Sequence, residues 1–278
     1  MNFDRIRIKT EARACLSGAN PHPMLVTLIY LLLTSGVSMG GNYVIFLLAT
    51  GSPLRAIEGV FLGGQYLSEE LLTGVFLLPF LFFTIVMGLF SAVLGAGYTA
   101  YAMRLARGQE GGLQDLFDIF SMAGKVLLTA IWQGLCMLPW LLLGTLLYWL
   151  LGMFLTLLGG FGLFLFLIPG MIGFMAYCFW VVLRYSLTYF FLLDEPQGGA
   201  REAVRNSVTY MKGWKWELFK LELSFLGWQL LSILTLGILG LWVTPYYMAA
   251  MANFYDFVTG RFPRPPKREA LDPPLTFE

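Results

Sequence analysis

Residues 126–183 read VLLTAIWQGLCMLPWLLLGTLLYWLLGMFLTLLGGFGLFLFLIPGMIGFMAYCFWVVL, and no charged side chain occurs between Lys125 and Arg184. Those 58 residues suffice for two helical crossings, because each needs about 20 apolar residues to pass the roughly 30 Å hydrocarbon core of a bilayer. Similar uncharged runs fill residues 14–54, 71–103 and 223–255. In lipid the backbone must satisfy its own N–H and C=O groups, so a crossing is either a helix or part of a closed barrel. A barrel strand would alternate polar and apolar positions, whereas LLPFLFFTIVMGLFSAVLGAG at 77–97 is apolar on every face. The expectation is an all-α, polytopic membrane protein.

Composition agrees. With 58% hydrophobic and 13% charged residues, the chain is far from the soluble average of about 25% charged residues. Cys15, Cys136 and Cys178 form an odd set without CxxC spacing, and two of them sit inside apolar runs, where cysteine acts as a small hydrophobe. Neither a disulfide nor a metal site is expected. The apolar stretch from Met24 to Thr50 is too long for a signal peptide and reads as a retained anchor.

Turn-like clusters at 51–64, 157–162 and 236–240 divide the apolar runs into six candidate crossings, near 24–50, 71–103, 126–152, 163–193, 217–236 and 241–258. The distribution of basic residues tests that number, since Lys and Arg collect in short cytoplasmic loops. Sixteen lie before the first crossing, at 104–125, at 201–220 and after 260, against Arg55 alone in the other loops. Every second segment is therefore cytoplasmic, both termini included. The six crossings form three hairpins, and each is preceded by a short amphipathic segment. The apolar faces of those segments are Phe3, Ile6, Ala12 and Leu16; then Leu113, Leu116, Phe117 and Phe120; then Ala200, Ala203, Val204, Val208 and Met211. All three segments end at a glycine (Gly18, Gly124, Gly213), the residue that best closes a helix in a left-handed conformation. This predicts surface helices lying on the inner leaflet. The chain reads as one integral domain of three repeated units, about 1–106, 107–195 and 196–260, with a Pro-rich cytoplasmic tail at 261–278.

Residues 192–255, LLDEPQGGAREAVRNSVTYMKGWKWELFKLELSFLGWQLLSILTLGILGLWVTPYYMAAMANFY, closely resemble the bacterial membrane proteins grouped as domain of unknown function 975. RIKTEARACLSG at 7–18 looks like the start of the same family. Its most specific pieces are Asp194, Glu195 and Pro196; Met211, Lys212 and Gly213; and Gly227, Trp228 and Pro245. The resemblance implies a polytopic protein of the bacterial cytoplasmic membrane whose biochemical activity is not established. It implies an aromatic interfacial residue where this chain has ANPHPM at 19–24.

Two charged residues border the apolar runs from within. Arg184 lies about 22 residues beyond the outer turn at Gly162, about 33 Å along a helix, which places it near the inner interface. Asp256 lies at a similar depth in the last helix. Intramembrane charge marks a site by default, so Arg184 with Asp256 is the candidate polar pair, against the plainer reading that both reach to headgroups. Asp194-Glu195-Pro196 reads as the cap of the following cytoplasmic helix. Trp214 and Trp216 with Lys212 and Lys215 read as an interfacial belt.

No HExxH, GxSxG or metal-spaced carboxylate set is present, and the sole histidine, His22, stands beside prolines. No catalytic residue and no cofactor are expected. Acidic residues interleave the cytoplasmic basic ones, which argues against nucleic acid. The sequence points to a non-enzymatic protein acting through membrane lipids, a protein partner or a second copy of itself, in envelope maintenance. The alternative is a transporter or lipid-handling protein, for which mid-depth polar residues such as Gln133, Thr145 and Gln229 are the sparse material.

Overall fold

The computed structural model describes residues 3–62, 74–157, 159 and 166–262. Residues 63–64 of the turn expected at 51–64, most of the turn expected at 157–162, and the tail beyond Phe262 lie outside the described residues; the described part of the first turn is largely helical, over Pro53–Leu62. Within them the chain is all-helical.

Helix α1 (Arg5–Ser17) starts at Asp4, whose carboxylate accepts the Ile6 and Arg7 N–H groups at 2.9 and 3.4 Å. Such a cap is worth about 1 kcal/mol. Helix α2 (Pro23–Leu31) begins on Pro23, preorganised for a first helical turn. His22 caps it, accepting the Met24 N–H on Nδ1 at 3.4 Å. His22 and Pro23 thus start the first long helix. A π-helical turn at Leu32–Gly36 leads into α3 (Val37–Thr50), which ends on left-handed Gly51. Helices α4 (Pro53–Leu62), α5 (Gly74–Ala106), α6 (Gln114–Asp118) and α7 (Ala123–Thr156) follow, then a π-helical turn at Phe166–Gly170 containing Pro169. The chain continues through α8 (Met171–Leu183), α9 (Thr188–Asp194), α10 (Gly199–Tyr210), α11 (Lys215–Leu234) and α12 (Gly240–Val258).

Helix α12 lies at the centre of the packed end. Every residue from Ala249 to Phe257 is buried, the pattern of a helix covered on all sides. Helices α1, α2, α5 and α11 surround it. Tyr255 stacks on Phe190 and meets Phe191 edge-on, and Phe3 packs against Phe254, Phe257 and Trp214. Away from this end large apolar side chains face outward: Leu78, Phe82, Leu142, Trp149 and Leu157 are all exposed. An apolar skin of that extent needs a membrane or a partner against it.

Among the described residues four helical stretches are long and apolar enough to cross a membrane: Pro23–Thr50, Phe76–Ala106, Gln114–Thr156 and Phe166–Asp194. The last two expected crossings, α11 and α12, do not join them. The first two turns of α11 carry Lys215, Glu217, Lys220 and Glu222, and α12 spends its second half inside protein.

The amphipathic segments also differ from expectation. Their apolar faces are largely buried against the rest of the chain, except that Phe117 and Phe120 of the second segment stay exposed. Ile8 and Ala12 of α1 face α12, Leu116 is fully buried, and Ala203, Val204 and Met211 join the core. Ile6, placed on the apolar face by spacing, is 77% exposed. Of the three closing glycines only Gly213 is left-handed, at φ +88°. Gly18 has φ −108° and Gly124 lies inside α7, so the threefold pattern does not extend to a shared backbone conformation there.

Candidate functional site

Helices α5, α9 and α12 bring their C-terminal ends together, and a charged cluster forms where they meet. Two of these ends close by the same device. Gly108 at φ +70° lets the Gln109 N–H reach the Arg104 carbonyl at 2.9 Å, and Gly260 at φ +76° lets the Arg261 N–H reach that of Asp256 at 2.7 Å. Only a residue without Cβ adopts this turn readily. The turn after α5 follows Arg107 directly, and the turn after α12 brings Arg261 back beside its own helix end.

Arg107 holds Asp256 with two prongs, Nη2 to Oδ1 at 2.8 Å and Nε to Oδ2 at 3.3 Å, and reaches Asp194 Oδ1 with Nη1 at 2.9 Å. Tyr255 donates its hydroxyl to Asp194 Oδ2 at 2.8 Å. Arg261 pairs with the same oxygen, and its Nη2 lies 3.8 Å from Glu195 Oε1. The Asp194 and Asp256 side chains are 9% and 8% exposed and Arg107 is 29% exposed. Buried carboxylates persist as charges only when paired and hydrogen-bonded, and here each has its guanidinium. The hydrogen bond to Asp256 raises the Arg107 pKa, burial opposing. Two neighbouring contacts extend the network. Lys125 donates to the Pro196 carbonyl at 3.0 Å, and Arg104 pairs with buried Asp115, which also accepts the Gly112 N–H at 3.0 Å.

The structure does not bring Arg184 and Asp256 together. The Arg184 guanidinium lies over the Trp140 ring at 5.1 Å and near that of Tyr185 at 5.9 Å, while Asp256 belongs to Arg107. Nor does Asp194-Glu195-Pro196 cap the helix after it. Helix α10 starts three residues beyond Pro196, at Gly199, with no side-chain cap, and Asp194 turns sideways into the cluster. Met211 is core, Lys212 is exposed and Gly213 supplies the turn into α11. Gly227 sits on α11 with open space beside it. Trp228 and Pro245 line a groove beside α1.

Arg107, Tyr255 and Arg261 were not singled out by their sequence context. The available signal is charge at matched positions: basic just after the second expected crossing, acidic at the ends of the fourth and the sixth. Each charge of the cluster is hydrogen-bonded or ion-paired to a partner within it, an arrangement that joins helix ends. Among the described residues no group of three or more His, Cys, Asp or Glu side chains is placed to hold a metal ion.

An all-helical chain with four bilayer-length apolar stretches and a charged junction at their packed end is compatible with a membrane protein. The chain belongs to the family described as protein of unknown function (DUF975), whose model matches residues 1–262. No match was found among curated proteins, and none among solved structures.

Proposed function

We propose that this is a non-enzymatic protein of the bacterial cytoplasmic membrane, a helical platform that acts through lipids or a partner protein in maintaining the envelope. The observation that carries the reading is the junction itself, in which Arg107, Asp194 and Asp256 tie together three helix ends far apart in sequence. Such a tie fixes the arrangement of helices whose outer surfaces are left to other molecules.

The proposed topology has four full crossings with both termini cytoplasmic, and a shorter hairpin, α11–α12, that enters and leaves on the cytoplasmic side. Charged α1 runs antiparallel along α12, which supports this. Asn253 donates to the Ile8 carbonyl at 3.2 Å, Arg13 lies 5.1 Å over Tyr246, and Ser17 and His22 share a groove with Leu239 and Trp242. Lys9 donates to the Ser224 hydroxyl on α11 at 3.2 Å. From Phe225 to Leu234 about 15 Å of helix remains, half of what a crossing needs. The even number of passages keeps the basic segments on one side, as the charge distribution requires.

A deletion strain should show altered sensitivity to membrane-active agents, restored by wild-type protein and not by Arg107→Gln expressed at equal level. Full rescue by that variant would remove the junction from the function. The transport reading draws on one observation, the breaks in long helices at Leu32–Gly36 and Phe166–Gly170, since π-turns and discontinuous helices recur at transport sites. Solute or proton flux in proteoliposomes above that of empty vesicles would favour it.

A further inference from the structure

Between the α1–α2 junction and the α11–α12 hairpin lies a groove of about 350 Å³. Its walls are Leu16, Trp228, Leu239, Trp242 and Pro245, and its rim carries Arg13, Ser17 and His22. Among the described residues no acidic side chain lines it. Arg13 lies over the Tyr246 ring at 5.1 Å, and no ion pair to a carboxylate is formed by it among the described residues. The nearby Glu11 is already engaged by Arg7 at 2.9 Å. Because His22 Nδ1 accepts the Met24 N–H, its Nε2–H is left as a donor at the same rim. Trp228 and Trp242 are both part-exposed, as aromatic side chains are where a protein meets the headgroup region. An apolar slot with an uncompensated guanidinium, a hydroxyl and an imidazole N–H at its mouth is complementary to an amphiphile with an anionic head.

We propose that this groove binds one anionic phospholipid, with an acyl chain between Trp228, Leu239 and Trp242 and the headgroup phosphate on Arg13 and His22. The inference rests on the membrane reading above and gives roles to Trp228, Pro245 and His22 that the charged junction does not. It commits to a lipid, since a free anion would have no use for the apolar walls.

The test is native mass spectrometry of the full chain released from phosphatidylcholine nanodiscs containing a minority of phosphatidylglycerol. Wild-type protein should retain phosphatidylglycerol in preference to phosphatidylcholine. Arg13→Gln should lower that preference about fivefold, the contribution of one basic residue at an anionic lipid surface, and Arg13→Lys should keep most of it. Leu239→Trp, which fills the groove, should reduce retention of both lipids. Equal retention of the two lipids by wild-type protein, or an unchanged preference in Arg13→Gln, would overturn the proposal, as would displacement of the lipid by excess inorganic phosphate. Recovery of the protein in the soluble fraction without detergent would instead defeat the membrane reading on which the proposal rests.

Discussion

Asp194 accepts from Arg107, Tyr255 and Arg261 at once, so one carboxylate joins three partners drawn from two other helix ends. Removing one member of a buried ion pair costs about 3–5 kcal/mol because the other charge stays behind unpaired. Arg107 is part-exposed and water recovers some of that loss, so Arg107→Gln should lower stability by about 2 kcal/mol, read as a lower Tm in detergent micelles. The double variant Arg107→Gln, Asp194→Asn should lose less than the sum of the single losses; additive losses would show that the residues act separately. The pKa of Arg107 is raised in the folded protein, so its contribution is fully present below the unfolded pKa and is lost only as pH rises through the still higher folded value. Its share of stability should therefore stay constant as pH rises from 7 to about 10. Gly213 gives a second prediction at this scale. At φ +88° a side chain is strained by about 1 kcal/mol or more, so Gly213→Ala should lower Tm while Gly18→Ala, at φ −108° with nothing within 4 Å, should not.

Helix α6 depends on a close approach to α5. A Cβ at Gly97 would lie 2.9 Å from both the Cα and the carbonyl oxygen of Leu116, and backbone atoms cannot yield as a flexible side chain can. Gly97→Ala should cost about 2 kcal/mol and expose the 108–122 segment to limited proteolysis; an unchanged digestion pattern would mean that α6 is held by other contacts. The long apolar helices were legible in the sequence because their signal is local: α5, α7 and α8 contain no charge for turn after turn. The third amphipathic segment was legible too, its predicted Ala203, Val204 and Met211 being core. What covers those faces was not, because spacing reports that a face is apolar without naming its neighbour. Ile6 shows the limit, lying at helical spacing from the core positions yet open to solvent. The candidate site was half legible. Asp194 and Asp256 stood out, but Arg107 is 149 residues from Asp256 and looked like one more basic loop residue until the helix ends were placed in space.

For the whole molecule, the packed charged end and the apolar skin beyond it divide the chain into a part held by its own contacts and a part whose surface needs a membrane or a partner against it. The proposed topology assigns α11–α12 to both, with its inner half wrapped by α1 and its tip exposed at Ile233, Leu234 and Leu236. Full and partial crossings predict the same side for both termini and differ only at that tip. The direct measurement is cysteine accessibility in intact cells and inside-out vesicles, with Cys15, Cys136 and Cys178 replaced and single cysteines placed at Gln109 and Leu236. A membrane-impermeant maleimide should label Gln109→Cys only in inside-out vesicles, and Leu236→Cys in neither preparation until detergent is added. Labelling of Leu236→Cys in intact cells would show that α11 and α12 each cross the bilayer, contradicting the half-inserted hairpin; labelling of Gln109→Cys there would contradict the orientation as a whole.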